Sequence, residues 1–332
     1  MTHKWSRRRF IGAGAALAAL GVGLPRRAGA ADKVRMACWS QAISEQANIF
    51  AAQEFGWFKE QGLDFEFVPG AGGGEALKHV LAGNADLAFT NVEPILFGVE
   101  QGAEIQAVYN IYPKNVFNVV SLKSKRITRA QDLKGKRIGV YSMASGTRHN
   151  LLVILYSVGL RESDVEVVST GVLNFGPLMA GQVDATAATD TGLWAAQQKG
   201  LGEVDVLWAR DFLDTPTDVF AVTKDTADRR GDLVTRFLRA YRKGSQWMLD
   251  NPEKAAELAV KYATDGQDVR RNLEIIKIRN ASTVSEGTKQ HGLGWFDLPL
   301  LSRVEKAYLD LGLLKKHLDT NAIFTNRFVQ AL

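Results

Sequence analysis

From Val34 onward, short apolar runs alternate with segments whose apolar residues return every third or fourth position, and this alternation most narrows the folds open to the chain. Strand-length runs separated by helix-period segments build parallel sheets with crossover helices, so the class is α/β. Residues 34–38 read as a first strand. Residues 45–55 follow as a helix with Ala47, Phe50, Ala51 and Phe55 on one face and Gly56 as its stop. Residues 63–68 form a second strand ended by Pro69, residues 75–82 a helix, and residues 85–90 a third strand. Further strands are expected at 105–110 and 118–122, after which the theme restarts with a strand at 138–140.

One short pattern occurs in both halves. Ala82-Gly83-Asn84-Ala85-Asp86 precedes the strand at 87–90, and Ala180-Gly181-Gln182-Val183-Asp184 precedes one at 185–188. In each, glycine ends a helix and aspartate precedes a buried strand, so two similar lobes are the simplest account. After strands at 204–208 and 220–222 the rest reads as helical, with Val234, Phe237, Leu238, Tyr241 and Met248 on one stripe. Asn251-Pro252-Glu253 opens the next helix, and residues 303–313 form the last strong one. No low-complexity linker interrupts the chain, so short crossing strands rather than a tether should join the lobes.

The 332 residues are 46% apolar, ample for two cores, and carry a formal charge of +5. Six of the 41 basic residues precede Ala31 and no acid does, which leaves 35 bases against 36 acids beyond it. Removal of that stretch abolishes the electrostatic case for nucleic acid. The stretch itself has the parts of an export signal: Arg7-Arg8-Arg9-Phe10-Ile11, an apolar run from Ile11 to Leu24, then Ala28-Gly29-Ala30. The arginine pair followed by Phe-Ile resembles a twin-arginine (Tat) signal over residues 1–30. A membrane anchor is the alternative, but the run falls short of the roughly 20 residues needed to span a bilayer. With one cysteine, Cys38, no intramolecular disulfide can form, and a buried thiol closing the first strand is expected.

The residues resemble the substrate-binding proteins of ABC importers in the sulfonate, nitrate and thiamine-precursor group. The match runs through Gln53-Glu54-Phe55-Gly56-Trp57-Phe58-Lys59-Glu60-Gln61-Gly62-Leu63, through Ala82-Gly83-Asn84-Ala85-Asp86-Leu87-Ala88, through Leu133-Lys134-Gly135-Lys136-Arg137-Ile138-Gly139-Val140, and through Phe237-Leu238-Arg239-Ala240-Tyr241 with Asn251-Pro252-Glu253. The resemblance implies a type II periplasmic binding protein fold, two doubly wound lobes joined by two crossing segments near 113–122 and 211–218. One lobe would hold 32–115 plus 216–332 and the other 116–215. It implies a monomeric periplasmic receptor that captures a small molecule in the interlobe cleft and delivers it to a separate permease and ATPase, with no nucleic acid partner. An organosulfonate, nitrate or similar oxyanion is the leading ligand class, a thiamine-type pyrimidine the next. A sensor subunit and a secreted enzyme are the rival roles.

Ligands of open α/β lobes collect at the carboxyl ends of strands, where helix N-termini present unpaired N–H groups. That rule selects the loops 39–41, 70–74, 90–93, 141–148, 173–175 and 189–191, and within them Trp39, Ser40, Gln41, Gly72, Gly73, Thr90, Asn91, Ser142, Ser145, Gly146, Thr147, Asn174, Phe175 and Asp190 are the candidate contacts. The Ser142–Thr147 stretch carries the clearest chemistry, hydroxyls and bare N–H groups converging at a helix start, although Ser145 or Thr147 could serve only its own helix as an N-cap. Gly72 and Gly73 could admit a ligand closely or simply turn the chain. Trp39, Phe175 and Trp194 are candidate aromatic walls. Glu93 and Asp190 would oppose an anion and suit an amine or protonated ring, or else only favour their helix starts. Arg148 reads equally as added charge or as surface. No metalloprotease, nucleophile-elbow, paired-cysteine or Walker motif is present, so no catalysis, metal or cofactor is expected. His149, the one histidine near the Ser145 loop, reads as a helix-surface residue.

Overall fold

The computed structural model describes residues 31–171 and 174–332, and the proposed leader lies outside them. Ten strands form two five-stranded sheets. The first contains β1 (Asp32–Cys38), β2 (Leu63–Val68), β3 (Leu87–Asn91), β4 (Ile105–Asn110) and β10 (Asp218–Thr223), in the order β2-β1-β3-β10-β4. The second contains β5 (Phe117–Leu122), β6 (Arg137–Val140), β7 (Glu166–Ser169), β8 (Ala185–Thr189) and β9 (Val204–Trp208), in the order β7-β6-β8-β5-β9. The sheets are mixed, where the alternation alone predicts parallel ones. β10 runs antiparallel to β3 and β4, and β5 antiparallel to β8 and β9. In each sheet the reversed strand is the first one formed after the chain arrives from the other sheet. The crossings are shorter than expected, 111–116 and 212–217, because β5 begins at Phe117 and belongs wholly to the second sheet. Thr217 ties them together: its hydroxyl donates to the Lys114 carbonyl at 2.7 Å and its N–H to the Tyr112 carbonyl at 2.9 Å.

The short repeat has a structural cause. Gly83 and Gly181 both take left-handed conformations, φ 74° and 71°, where glycine carries no steric cost. The aspartate that follows then clips the first strand of its sheet in the same way in both halves. Asp86 donates its N–H to the Arg35 carbonyl and accepts the Arg35 N–H, each at 2.8 Å. Asp184 does the same to Arg137, at 2.8 and 3.0 Å. The second carboxylate oxygen takes a cation in each case, Arg230 at Asp86 and Lys125 at Asp184, the latter holding Asp184 below the usual carboxylate range.

The long helix Gly231–Asp250 buries the expected stripe against β10 and β4, with Tyr241 edge-on to Phe220 at 4.6 Å. Gly244 permits its approach to the helix Ala47–Glu54, since a Cβ there would lie 2.2 Å from the Asn48 carbonyl oxygen. Truncating a fully buried anchor such as Phe237 would cost about 3–5 kcal/mol. Two elements differ from expectation. β7, Glu166-Val167-Val168-Ser169, is four residues long with just two apolar ones, so it carries no apolar run long enough to reveal it. The last long helix is Leu298–Asp310, starting earlier than 303 because Asp297 caps it by accepting the Leu300 N–H, with Pro299 in its first turn. Cys38 is fully buried, and burial pushes its thiol up to about 12.

Candidate functional site

The carboxyl ends of β1, β3, β6 and β8 converge on a cavity of about 40 Å³, room for a few water molecules and hence for a compact ligand. Equivalent positions of the two sheets supply its wall in pairs. Trp39 and Tyr141 are the first residues past β1 and β6, and their rings meet edge-on across the cleft at 6.4 Å and 86°. Asn91 and Thr189 end β3 and β8, and both line the cavity. Phe117, the first residue of β5, adds a third aromatic face.

Gly72 and Gly73 line the cavity; the bareness of Gly72 lets the halves touch, and that of Gly73 lets the loop lie against Thr90 and Asn91 of its own half. A Cβ on Gly72, whose φ is 141°, would lie 2.8 Å from the Ser142 hydroxyl oxygen. The two loops are joined directly: the Gly74 N–H donates to the Ala144 carbonyl at 3.0 Å, and the Ser142 hydroxyl to the Ala71 carbonyl at 2.7 Å. Gly146 is equally constrained, since a Cβ would come within 2.4 Å of the Phe117 ring.

Ser145 stands at the N-cap of the helix Gly146–Ser157 but makes no capping bond. Its hydroxyl donates to the Ser142 carbonyl at 2.6 Å and lies 2.7 Å from the Thr147 hydroxyl, which accepts the Tyr141 N–H at 3.0 Å. With the Ser145 proton on Ser142, Thr147 must donate to Ser145, so both protons are committed inside the loop. The hydroxyls shape the corner, and the helix start faces the cavity with backbone N–H groups rather than side-chain donors.

Charge enters from residues outside the strand-end loops. Arg279, on the helix Val269–Thr283, is 1% exposed and lines the cavity with Glu45 and Asp218. Its Nε donates to Glu45 at 2.5 Å, one Nη to Asp190 at 2.7 Å and the other to the Thr191 hydroxyl at 2.7 Å, above the Tyr112 ring. Burial alone would lower the guanidinium, but the Asp190 and Glu45 charges raise it above its ordinary value. Burial raises Glu45 despite that partner. Asp218, which accepts a hydrogen bond from the Asn91 amide, is pushed well above the carboxylate range, first by burial and then by the Glu45 charge. Arg279 is the only cation among the described lining residues, and two carboxylates already compensate it.

Of the residues selected from sequence, Trp39, Gly72, Gly73, Asn91, Ser145, Gly146 and Thr147 line the cavity. The others stand behind or away from it. Ser40 is buried and bonds to Gln41 and Gln46, and Gln41 is exposed. Thr90 donates to the Gly73 carbonyl and so braces the glycine loop. Ser142 bonds across to Ala71. Asn174 is taken up by Thr186 and the Ala187 carbonyl. Phe175 packs into a core cluster with Leu178 and Ala188, and Trp194 is likewise no part of the wall. Asp190 acts through Arg279. His149 is buried rather than surface-exposed, edge-on to Phe97, and burial drives it down to about 3. Arg148 is held by Glu162. Tyr141 and Thr189, which open two of the strand-end loops selected from sequence, line the cavity as well. Sequence reasoning missed Glu45, Val116, Phe117, Thr217, Asp218 and Arg279.

Two mixed sheets that exchange one strand each around a cleft lined by strand ends define the periplasmic binding protein class. The aliphatic sulphonate-binding protein SsuA of Escherichia coli has this fold: it superposes with a TM-score of 0.66 over 90% of this chain and 99% of its own, at 17% identity. The chain belongs to the NMT1/THI5-like family, whose model matches residues 43–255. The riboflavin-binding protein RibY of Chloroflexus aurantiacus is 27% identical over 245 residues, 73% of this chain and 70% of that protein. The 4-amino-5-hydroxymethyl-2-methylpyrimidine phosphate synthase THI5 of Saccharomyces cerevisiae is 24% identical over 241 residues, 68% and 69% of the two chains.

Proposed function

We propose that this solute-binding protein serves an ABC importer and captures a compact nitrogen heterocycle of the pyrimidine class, neutral or protonated, rather than an oxyanion. The observation that carries the reading is the commitment of Arg279 to Glu45, Asp190 and Thr191 beside the protonation-prone Asp218. An anion entering this cavity would meet carboxylates with no uncompensated cation to offset them. A ring with amino and aza groups finds a carboxyl at Asp218, aromatic faces at Trp39, Tyr141 and Phe117, and a buried indole N–H on Trp39 that has no partner among the described residues. The kinship to riboflavin and pyrimidine proteins agrees with this choice.

The lobes are 32–115 plus 216–332 and 116–215, hinged at the Thr217-linked crossings, and residues 1–30 direct export through the twin-arginine route to the periplasm. A monomeric receptor then meets its permease and ATPase as separate chains. The receptor role is favoured over a synthase because the thiol and the imidazole nearest the site, Cys38 and His149, are both buried and held in their neutral forms, about 12 and about 3. The test is a thermal-shift panel on residues 31–332 with 4-amino-5-hydroxymethyl-2-methylpyrimidine, thiamine, riboflavin, taurine and nitrate. A pyrimidine at 100 times its Kd adds about 2.7 kcal/mol of stability. A shift with taurine or nitrate and none with any heterocycle would reverse the ligand reading, and consumption of the bound compound would reverse the receptor reading.

A further inference from the structure

We propose that Arg279 is the latch that holds the second sheet's half over the cavity, a positioning residue that couples occupancy of the cleft to closure. The inference rests on the receptor reading for its purpose, while its geometry and its test do not.

Arg279 belongs to the first sheet's half: its helix packs on Pro252–Tyr262 and on the turn at Ser44–Gln46, whose Glu45 it binds. Asp190 and Thr191 open the helix Asp190–Gln198, which follows β8 of the second sheet. The guanidinium is therefore divided. Its Nε bond to Glu45 lies within one half and survives opening, whereas both Nη bonds, to Asp190 and Thr191, cross the cleft and exist only when it is shut. Charge-assisted bonds of this kind are the strong ones, and here the arginine and Glu45 are all but fully buried. The neighbouring cross-cleft bonds, Gly74 to Ala144 and Ser142 to Ala71, are neutral and weaker. Because Arg279 and Glu45 also line the cavity, a molecule bound there packs against the side chain that fastens the halves.

The pairing dictates the variant. Removing Arg279 would strand Glu45 as a buried charge and endanger the fold. Removing Asp190 leaves the Arg279–Glu45 pair intact and deletes the charged one of the two crossing bonds, the Thr191 bond remaining.

The readout is a disulfide between Gly74→Cys and Ala144→Cys, introduced together. A Cβ on Gly74 lies 3.3 Å from the Ala144 Cβ, slightly under the usual spacing of about 3.5–4.5 Å, so a small shift of either loop forms the bridge. The native Cys38, buried, stays out of the reaction. In the ligand-free protein, the rate of crosslinking under a fixed thiol oxidant follows the fraction of time spent closed, even when that fraction is small. Asp190→Ala should slow it about ten-fold or more, and Asp190→Asn, which keeps an acceptor but no charge, by less. If Asp190→Ala also lowers the melting temperature markedly, Thr191→Val, which deletes the crossing bond from Arg279 at 2.7 Å and the longer one to Glu45 at 3.4 Å, replaces it with an expected slowing of several-fold. Equal rates in the parent pair and these variants would overturn the latch, as would a parent pair that never crosslinks. Neither result would touch the ligand panel, so the two readings fail separately.

Discussion

Replacing Glu93 by glutamine should remove one pH-dependent contribution to stability, because this carboxyl is buried at the seam of the two halves without a cation. Glu93 sits in the first turn of the helix Val92–Glu100 and is fully buried. One oxygen accepts from the Asn150 amide at 2.7 Å and from the Tyr308 hydroxyl at 3.4 Å, and the other has no partner among the described residues. Burial pushes it up from 4.5 to about 7. A carboxyl raised on folding favours the native state most strongly below its unfolded pKa of 4.5, and that contribution is lost as pH rises through about 7. Linkage over that shift gives about 2.5 kcal/mol between pH 5 and pH 8, at 1.36 kcal/mol per unit. Glutamine keeps the acceptor but places an amide donor where the unpartnered oxygen was, a cost of about 1–3 kcal/mol that does not vary with pH. The diagnostic is therefore the difference between variant and wild type, which should move in favour of the variant by about 2.5 kcal/mol from pH 5 to pH 8. For a chain of this size that is a relative change of about 5 °C in Tm. His149, lowered to about 3, contributes the opposite slope, stability present above 6.5 and lost towards 3, but it is common to both proteins and cancels. Melts at four pH values from 5 to 8 measure the difference, and parallel Tm profiles would refute an ionisable buried Glu93.

Asp218→Asn should weaken the heterocycle identified by the panel by about two- to ten-fold in calorimetry, since the hydrogen bond between the buried carboxyl and the ring is lost, and unchanged affinity would remove Asp218 from the binding surface. Ser145→Ala should lower the Tm of the free protein, by about 1 kcal/mol of stability, more than it lowers affinity, because its proton is held by the Ser142 carbonyl. Lost affinity with an unchanged melt would restore Ser145 as a ligand donor.

What could be read from sequence is what local chemistry decides. Strands at 63–68, 105–110 and 204–208 were legible to the residue because each carries four apolar residues bounded by turn or helix residues. β7, Glu166-Val167-Val168-Ser169, was not, since two apolar residues between polar ones make no periodic pattern. The rule that ligands gather at strand ends located half of the selected residues on the cavity wall and misplaced those, such as Phe175 and Asn174, whose side chains turn back into their own sheet's core. Arg279 had no local signal: it is 234 residues from Glu45 and 89 from Asp190, and a lone arginine in a charged helix reads as solvated. His149 failed for a related reason, since the face of its helix that looks exposed is covered by Phe97 of the other half.

The two sheets share one order, a first strand flanked by the second and third, then the reversed strand, then the fourth. That repetition accounts for what the cavity holds in pairs, the Trp39 and Tyr141 rings and the Asn91 and Thr189 amide and hydroxyl, none of which distinguishes one polar ligand from another by charge. The charged groups break the symmetry. Asp218 lies on the strand that returns from the second sheet, and Arg279 on a helix of the C-terminal segment beyond β10, which adds only to the first half. Lobe closure is thus governed by the unrepeated C-terminal segment, while ligand charge turns on Asp218, which opens β10 where its counterpart β5 opens with Phe117. A relative could therefore keep every strand, both glycine loops and the aromatic pair, yet bind an anion once Asp190 or Glu45 released the guanidinium. In this chain both carboxylates are present and engaged, so the same scaffold is set for a neutral or cationic ring.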